Sequence, residues 1–437
     1  MVLSFGVFLA FLGVLALSWG LTKDWRHPAV VYAVMWAAAF GLLSLPVVNY
    51  PALGSLTAAF VLLSGLSFVL SAYLGGRLGF LRLRPPAGSA GPRTQGLPSA
   101  RALLLLALVG VGAGLWYYHT RFGLDVLLNN PAYVRFNDRD GSGAFGLLLL
   151  LPPVTLLLVA LRYIRTRDQL PLTLLTLAVI LGYMLVLPER STLIVAVLWI
   201  AGMFMISDRR FRQRTGRYLG AALLVVLVGI GYFSAVSERT GKLEHVESVR
   251  FALRDQRVPT AAVDPYIYLT GSLPALDGVV RQQETRTDPL GVSRVAYPAV
   301  RLGQIVFPSA GVRASEAEEY TQIPFGFNTY TWLSWGVRDL GLWGAQLYFA
   351  LVGLLSGLAY AYALRSPWPL ATFVYSGVFA ATALSIMTNR FSSLFFWAAL
   401  AVVWSLLWLL RRTARRGQFP AVRSTQARPG TAPPQAS

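Results

Sequence analysis

The stretch NTYTWLSWGVRDLGLWG, residues 328–344, sets Arg338 beside Asp339 among aromatics and glycines, immediately ahead of a long apolar run. A carboxylate next to a cation can take a proton while the cation holds a developing anion. Neighbours at i and i+1 point about 100° apart on a helix, so the two charges need not pair with each other. The alternative is interfacial decoration, in which Trp332, Trp335 and Trp343 form an aromatic belt and the charges sit among lipid headgroups.

Further cations occur in short connections. Arg190 lies in LPERS, where Pro188 ends one apolar run and Ser191 can cap the next. It either pairs with Glu189 or holds an anionic headgroup. Arg390, in TNRF, is a similar case. Residues 237–340 hold 10 arginines and one lysine, among them Arg250, Arg254, Arg257, Arg281, Arg286, Arg294 and Arg301. The guanidinium fork suits bidentate contacts to phosphate. Tyr266 and Tyr268, in YIYLTGSLPALDG, offer aromatic faces.

Other titratable residues point less clearly to chemistry. His27 and His119 are read as structural, and His245 as a weaker base candidate. Asp138 and Asp140 in NDRDG lack the rest of a calcium loop, so no metal site is expected. GVGAG at 110–114 follows no strand and reads as helix packing, not a phosphate loop. With no cysteine, disulfides and thiolate chemistry are excluded.

The elements that position these residues are membrane helices. The chain has 437 residues, 55% hydrophobic and 13% charged, where a soluble domain is about 25% charged. Its apolar runs match a hydrocarbon core about 30 Å thick. An all-α polytopic protein of eleven spans is expected, near 3–21, 29–48, 53–76, 102–119, 143–163, 170–188, 191–207, 218–236, 341–364, 368–388 and 391–410. The first run is read as a retained span rather than a cleaved signal. These spans carry almost no ionisable residue, unlike proton- or ion-coupled carriers.

Charge assigns the faces. One alternating set of connections, with the tail from 411, holds 22 basic and 3 acidic residues, the whole of the +19 formal charge. The positive-inside rule names that set cytoplasmic, with the N-terminus outside. The chain divides into a membrane bundle over 1–236, a long outer segment over 237–340, three helices over 341–410 and a basic tail over 411–437. The tail reads as disordered and lipid-facing. No aromatic–basic interleaving suggests nucleic acid.

The segment from Asn328 onward resembles the oligosaccharide repeat-unit polymerases, the Wzy-type O-antigen polymerases. Asn328, Tyr330, Thr331, Asp339, Gly341 and Gly344 match that family's pattern, while Leu340 stands where an aromatic is commoner. Arg190 between two central spans and the long outer segment resemble the family as well. The likeness is strongest over 185–365.

The resemblance implies a multi-pass inner-membrane glycosyltransferase acting on polyprenyl-diphosphate-linked repeat units at the outer leaflet. Asp339 would serve as base, with Glu189 in reserve. Arg190 would hold the diphosphate, helped by Arg338 and Arg390, with Arg250 and Arg254 among the substrate-binding arginines. Tyr266, Tyr268, Asn328, Tyr330 and Trp335 would contact glycan. No cofactor is expected, and a flippase and a chain-length regulator are expected partners. A glycan ligase and a lipid-linked oligosaccharide flippase are the competing readings.

Overall fold

The computed structural model describes residues 2–82, 97–137, 146–187, 191–208, 249–254, 258–284, 294–306 and 321–416, with positions 216 and 220. Helices dominate. The first four are α1 (Val2–Thr22), α2 (Pro28–Leu43), α3 (Ser55–Arg82) and α4 (Ala100–Phe122). Short helices α5 (Leu124–Asn129), α6 (Pro131–Asn137) and α7 (Gly146–Leu149) lead to α8 (Leu151–Thr166), α9 (Leu170–Val186) and α10 (Ser191–Ser207). Then come α11 (Thr260–Thr270), α12 (Ser272–Glu284) and α13 (Tyr297–Val306). A hairpin of β1 (Thr321–Gln322) and β2 (Gly326–Phe327) precedes α14 (Trp332–Arg365), α15 (Pro369–Ala383) and α16 (Leu394–Arg416).

Local chemistry sets many of the starts. Ser99 Oγ accepts the N–H of Ala102 at 3.1 Å and caps α4. His27 Nδ1 accepts the N–H of Ala29 at 3.2 Å and caps α2. Prolines open α2, α8, α9 and α15, where a missing N–H costs nothing.

Among the described residues, α1, α3, α4, α14 and α16 are long and apolar enough to cross a membrane. Helices α2, α9, α10 and α15 are apolar but shorter. At 1.5 Å per residue, 17 residues reach only about 25 Å. The chain is thus a multi-pass, all-α membrane protein. The expected span at 218–236 and the tail beyond 416 lie outside the described residues.

Several expected boundaries shift: α3 runs on to Arg82, past 76, α14 begins at Trp332, before 341, and α16 runs to Arg416, past 410. Helix α2 ends at Leu43, short of 48, because Pro46 cannot extend it. The expected span at 143–163 appears as α7 and α8, with a break at Leu150 just before Pro152 and Pro153. Helix α15 stops at Ala383, and Ser385 turns its carbonyl to the N–H of Trp332 at 2.9 Å.

Among the described residues two large apolar clusters hold the bundle, with a small third one of Ile206, Tyr360, Ala363 and Tyr375. One joins α1, α2, α3, α11, α12, the hairpin and the start of α14. The other joins α4, α8, α9, α10, α15 and α16. Helices α3 and α14 approach backbone to backbone: a Cβ on Gly357 would lie 1.9 Å from the Ala72 carbonyl. Small residues are how membrane helices come this close.

The connections gather at opposite ends of the bundle. Residues 24–27 meet Tyr360 and Tyr375, near the inner end expected from charge. At the other end, Asn49 donates to the Ala252 carbonyl at 2.8 Å, and Ser272 Oγ to the Ile386 carbonyl at 2.6 Å.

The segment at 258–284 is more than a solvated loop. Val263 and Ile267 on α11, and Leu273, Leu276 and Val280 on α12, are buried in the first cluster. Their spacing makes one apolar face on each helix. Asp277 Oδ1 then accepts the Gly54 N–H at 2.9 Å and the Thr57 hydroxyl at 2.6 Å, placing a carboxylate at the start of α3. Arg281 Nη2 pairs with the other oxygen at 2.7 Å.

Candidate functional site

Helix α14 is two helices in one. Gly341 has φ 68° and ψ −179°, a conformation essentially confined to glycine, and it separates a buried stub from the long apolar stretch. Residues Trp332 to Val337 and Asp339 in the stub are all buried.

Asp339 is 2% exposed. Its Oδ2 accepts two main-chain N–H groups, from Arg294 at 2.7 Å and Val295 at 2.8 Å. A buried carboxylate is tolerable only with such donors or cations around it. The carbonyl of Val295 in turn accepts from Ser392 Oγ at 2.8 Å. Asn389 Nδ2 donates to Ser392 Oγ at 3.0 Å and to the Tyr348 hydroxyl at 3.2 Å. The carboxylate therefore stitches three distant segments together: the stub, residues 294–295 and the turn at 389–392.

Arginines accompany it. Arg338, half-buried, sets its guanidinium 4.4 Å from the centre of the Tyr330 ring. Arg390 opens the 3-10 turn Arg390–Ser392. Arg294 supplies one of the two N–H groups. The structure thus brings Arg338, Asp339, Arg390 and Tyr330 into one neighbourhood and adds Arg294. Nothing in the sequence distinguished Arg294 from the other arginines of its segment, because its link to Asp339 runs through the main chain. Polar capacity remains here. Thr331 Oγ1 and Asn389 Oδ1 are buried without a hydrogen-bond partner among the described residues. Such atoms suit hydroxyl-rich ligands or water.

Other expected residues have different surroundings. Trp335 is 5% exposed and Trp332 fully buried, so of the three expected belt tryptophans Trp343 alone, 83% exposed, faces outward. Asn328 is exposed and Tyr330 buried. Tyr268 lies against the Phe327 ring, centroids 6.3 Å apart. The Tyr266 hydroxyl donates to the carbonyls of Leu42, at 3.0 Å, and Leu45, at 3.4 Å. Burial pushes that phenol up to about 12, against a smaller opposing pull from Thr270. Arg250 is exposed on a 3-10 turn. Arg254 donates from Nε to Asn49 Oδ1 at 2.7 Å. Arg254 and Tyr266 therefore belong to the loop after α2, with partners separate from those of Asp339.

Arg190 and Glu189 lie outside the described residues, as do His245, Arg257, Arg286, Asp138 and Asp140. Among the described residues, no group of three or more His, Asp or Glu side chains could hold a metal. The arrangement around Asp339 suits an anionic group that bears hydroxyls: cations for the charge, a carboxylate and unpartnered polar atoms for the hydroxyls. Comparison with protein-family models, with characterised proteins and with solved structures finds no match.

Proposed function

We propose that the protein polymerises lipid-diphosphate-linked oligosaccharide units by glycosyl transfer at the outer face of the cytoplasmic membrane. The observation that carries this reading is the buried carboxylate of Asp339 with the charges of Arg294 and Arg338 beside it, held to the turn at 390–392 through Val295 and Ser392, at the end of the bundle away from the basic connections. The basic end is taken as cytoplasmic.

In this reaction an acceptor sugar hydroxyl attacks the anomeric carbon of the donor. The new C–O bond forms as the bond to the diphosphate breaks, and the diphosphate leaves with the electron pair. The hydroxyl proton passes to Asp339 Oδ1, since Oδ2 is engaged by two N–H groups. Arg190, helped by Arg338 and Arg390, neutralises the leaving diphosphate. Arginine supplies that charge without a bound ion. Tyr330, Asn328, Trp335 and Tyr268 are assigned to glycan, and Arg250 and Arg254 to the outer headgroup region, while the Tyr266 hydroxyl is taken by the Leu42 and Leu45 carbonyls. A flippase would deliver the units and a chain-length regulator would act beside the enzyme.

The test is deletion of the protein in its host, followed by gel analysis of lipid-linked and surface glycan. Single repeat units on the outer leaflet, with no ladder of lengths, are expected. Arg338→Ala should reproduce that pattern at normal expression. Full-length polymer left on lipid would indicate a ligase, units trapped inside a flippase, and an unchanged ladder would end the proposal.

A further inference from the structure

A second site lies apart from the partners of Asp339. A small open cleft, with a volume of about 50 Å³, sits between the start of α1, the end of α2, the loop at 45–53, Arg254 and Pro274 of α12. Leu43, Val48, Leu53 and Pro274 are among its lining residues and Ser4 contributes from α1, while most of the surface turned into the cleft is polar. Of the described lining residues, Arg254 alone carries a charge.

That charge is held in place. Residues 252–254 run antiparallel to 47–49: Val48 bridges Leu253, Asn49 donates to the Ala252 carbonyl at 2.8 Å, and Arg254 donates to the Val47 carbonyl at 3.0 Å. Asn49 Oδ1 then takes the Arg254 Nε–H at 2.7 Å. With Nε engaged, the terminal nitrogens of the fork are left for an oxyanion. Beside the cleft, α1 turns Val2, Phe5, Leu9 and Leu12 outward. An oriented cation above an apolar helix face matches a phosphate carried on hydrocarbon chains.

We propose that this cleft seats the phosphodiester of a membrane phospholipid, with its acyl chains along the outward face of α1. One guanidinium balances one phosphodiester charge, which favours a phospholipid over a diphosphate carrier. The proposal does not rest on the glycan reading.

Native mass spectrometry of the full chain in detergent tests it, with phosphatidylglycerol, a diacylglycerol of the same chains and a polyprenyl diphosphate as probes. Phosphatidylglycerol should be retained and the diacylglycerol should not. Arg254→Gln should weaken retention about tenfold, the scale of a charge-assisted hydrogen bond. Asn49→Ala keeps the charge but frees the guanidinium. It should weaken retention a few-fold while the melting temperature holds, and so answers the question even if Arg254→Gln folds poorly. Equal retention by wild type and both variants, or equal retention of the diacylglycerol, would overturn the proposal. So would displacement of phosphatidylglycerol by lower concentrations of polyprenyl diphosphate in an Arg254-dependent way.

Discussion

Asp339 and Arg294 stand 45 positions apart, yet the carboxylate of one accepts the main-chain N–H of the other at 2.7 Å. The same oxygen takes the next N–H, from Val295. One atom thus closes the segment before α13 onto the entrance of α14, and the second oxygen keeps its capacity for a proton.

The two oxygens can be separated by substitution. Asp339→Asn preserves an acceptor for both N–H groups but removes the base. It should cut polymerisation about 100-fold, the low end for loss of a general base, while costing about 1 kcal/mol of stability. Asp339→Ala removes the acceptor too and leaves two buried donors unpaired, at about 1–3 kcal/mol each. Polymer length on gels and thermal melting in detergent measure the two effects. Normal polymer from Asp339→Asn would leave Asp339 only its clamping role.

Gly341 places that carboxylate. A Cβ there would meet nothing within 4 Å, so the cost of a side chain is purely that of the backbone at φ 68°. Gly341→Ala should destabilise by about 1–3 kcal/mol and lower polymer yield with it. Gly182 in α9 also has open space but ordinary helical geometry. Gly182→Ala should therefore melt no lower than wild type. Equal melting of the Gly341 variant and wild type would show that α14 does not depend on this break.

The bundle was legible because apolar runs and prolines act locally. Pro28, Pro152 and Pro369 open helices in the structure, and α9 and α10 end at Val186 and Ser207, within two residues of the expected ends. Asp339 and Arg338 drew attention as charges in apolar surroundings. Arg294, Asn389 and Ser392 did not, because Arg294 acts through its main-chain N–H and the other two through partners 41 and 97 positions away, Tyr348 and Val295. The burial of α11 and α12 was hidden for a related reason. Their apolar faces are short, and charged residues such as Asp277 and Arg281 made the segment look solvated, although Asp277 is spent on the start of α3.

The opposite end of the molecule carries a pH dependence. Burial pushes His27 down to about 4, against a smaller opposing pull from Asp24. Its ring lies edge-on to Tyr360, centroids 4.8 Å apart, and Nε2 would be 3.0 Å from a Cβ on Gly76, which leaves little room for a hydrated imidazolium. Burial raises Asp24, but the bonds and charge of Arg26 outweigh it and hold the carboxyl below its usual range. An unfolded histidine titrates near 6.5. Between about pH 6.5 and 4 the unfolded chain therefore binds the proton that the folded chain refuses. The His27 contribution is complete above that window and shrinks as pH falls through it, by an amount on the order of 3 kcal/mol at pH 4. Asp24 works lower: its contribution is present above about 3.8 and is lost only as pH drops through its depressed value. His27→Asn keeps a capping side chain and removes the titration. The melting temperature of wild type in detergent should fall as pH drops from 6.5 towards 4, and that of the variant should stay nearly level. Parallel slopes would mean that another group sets the acid response.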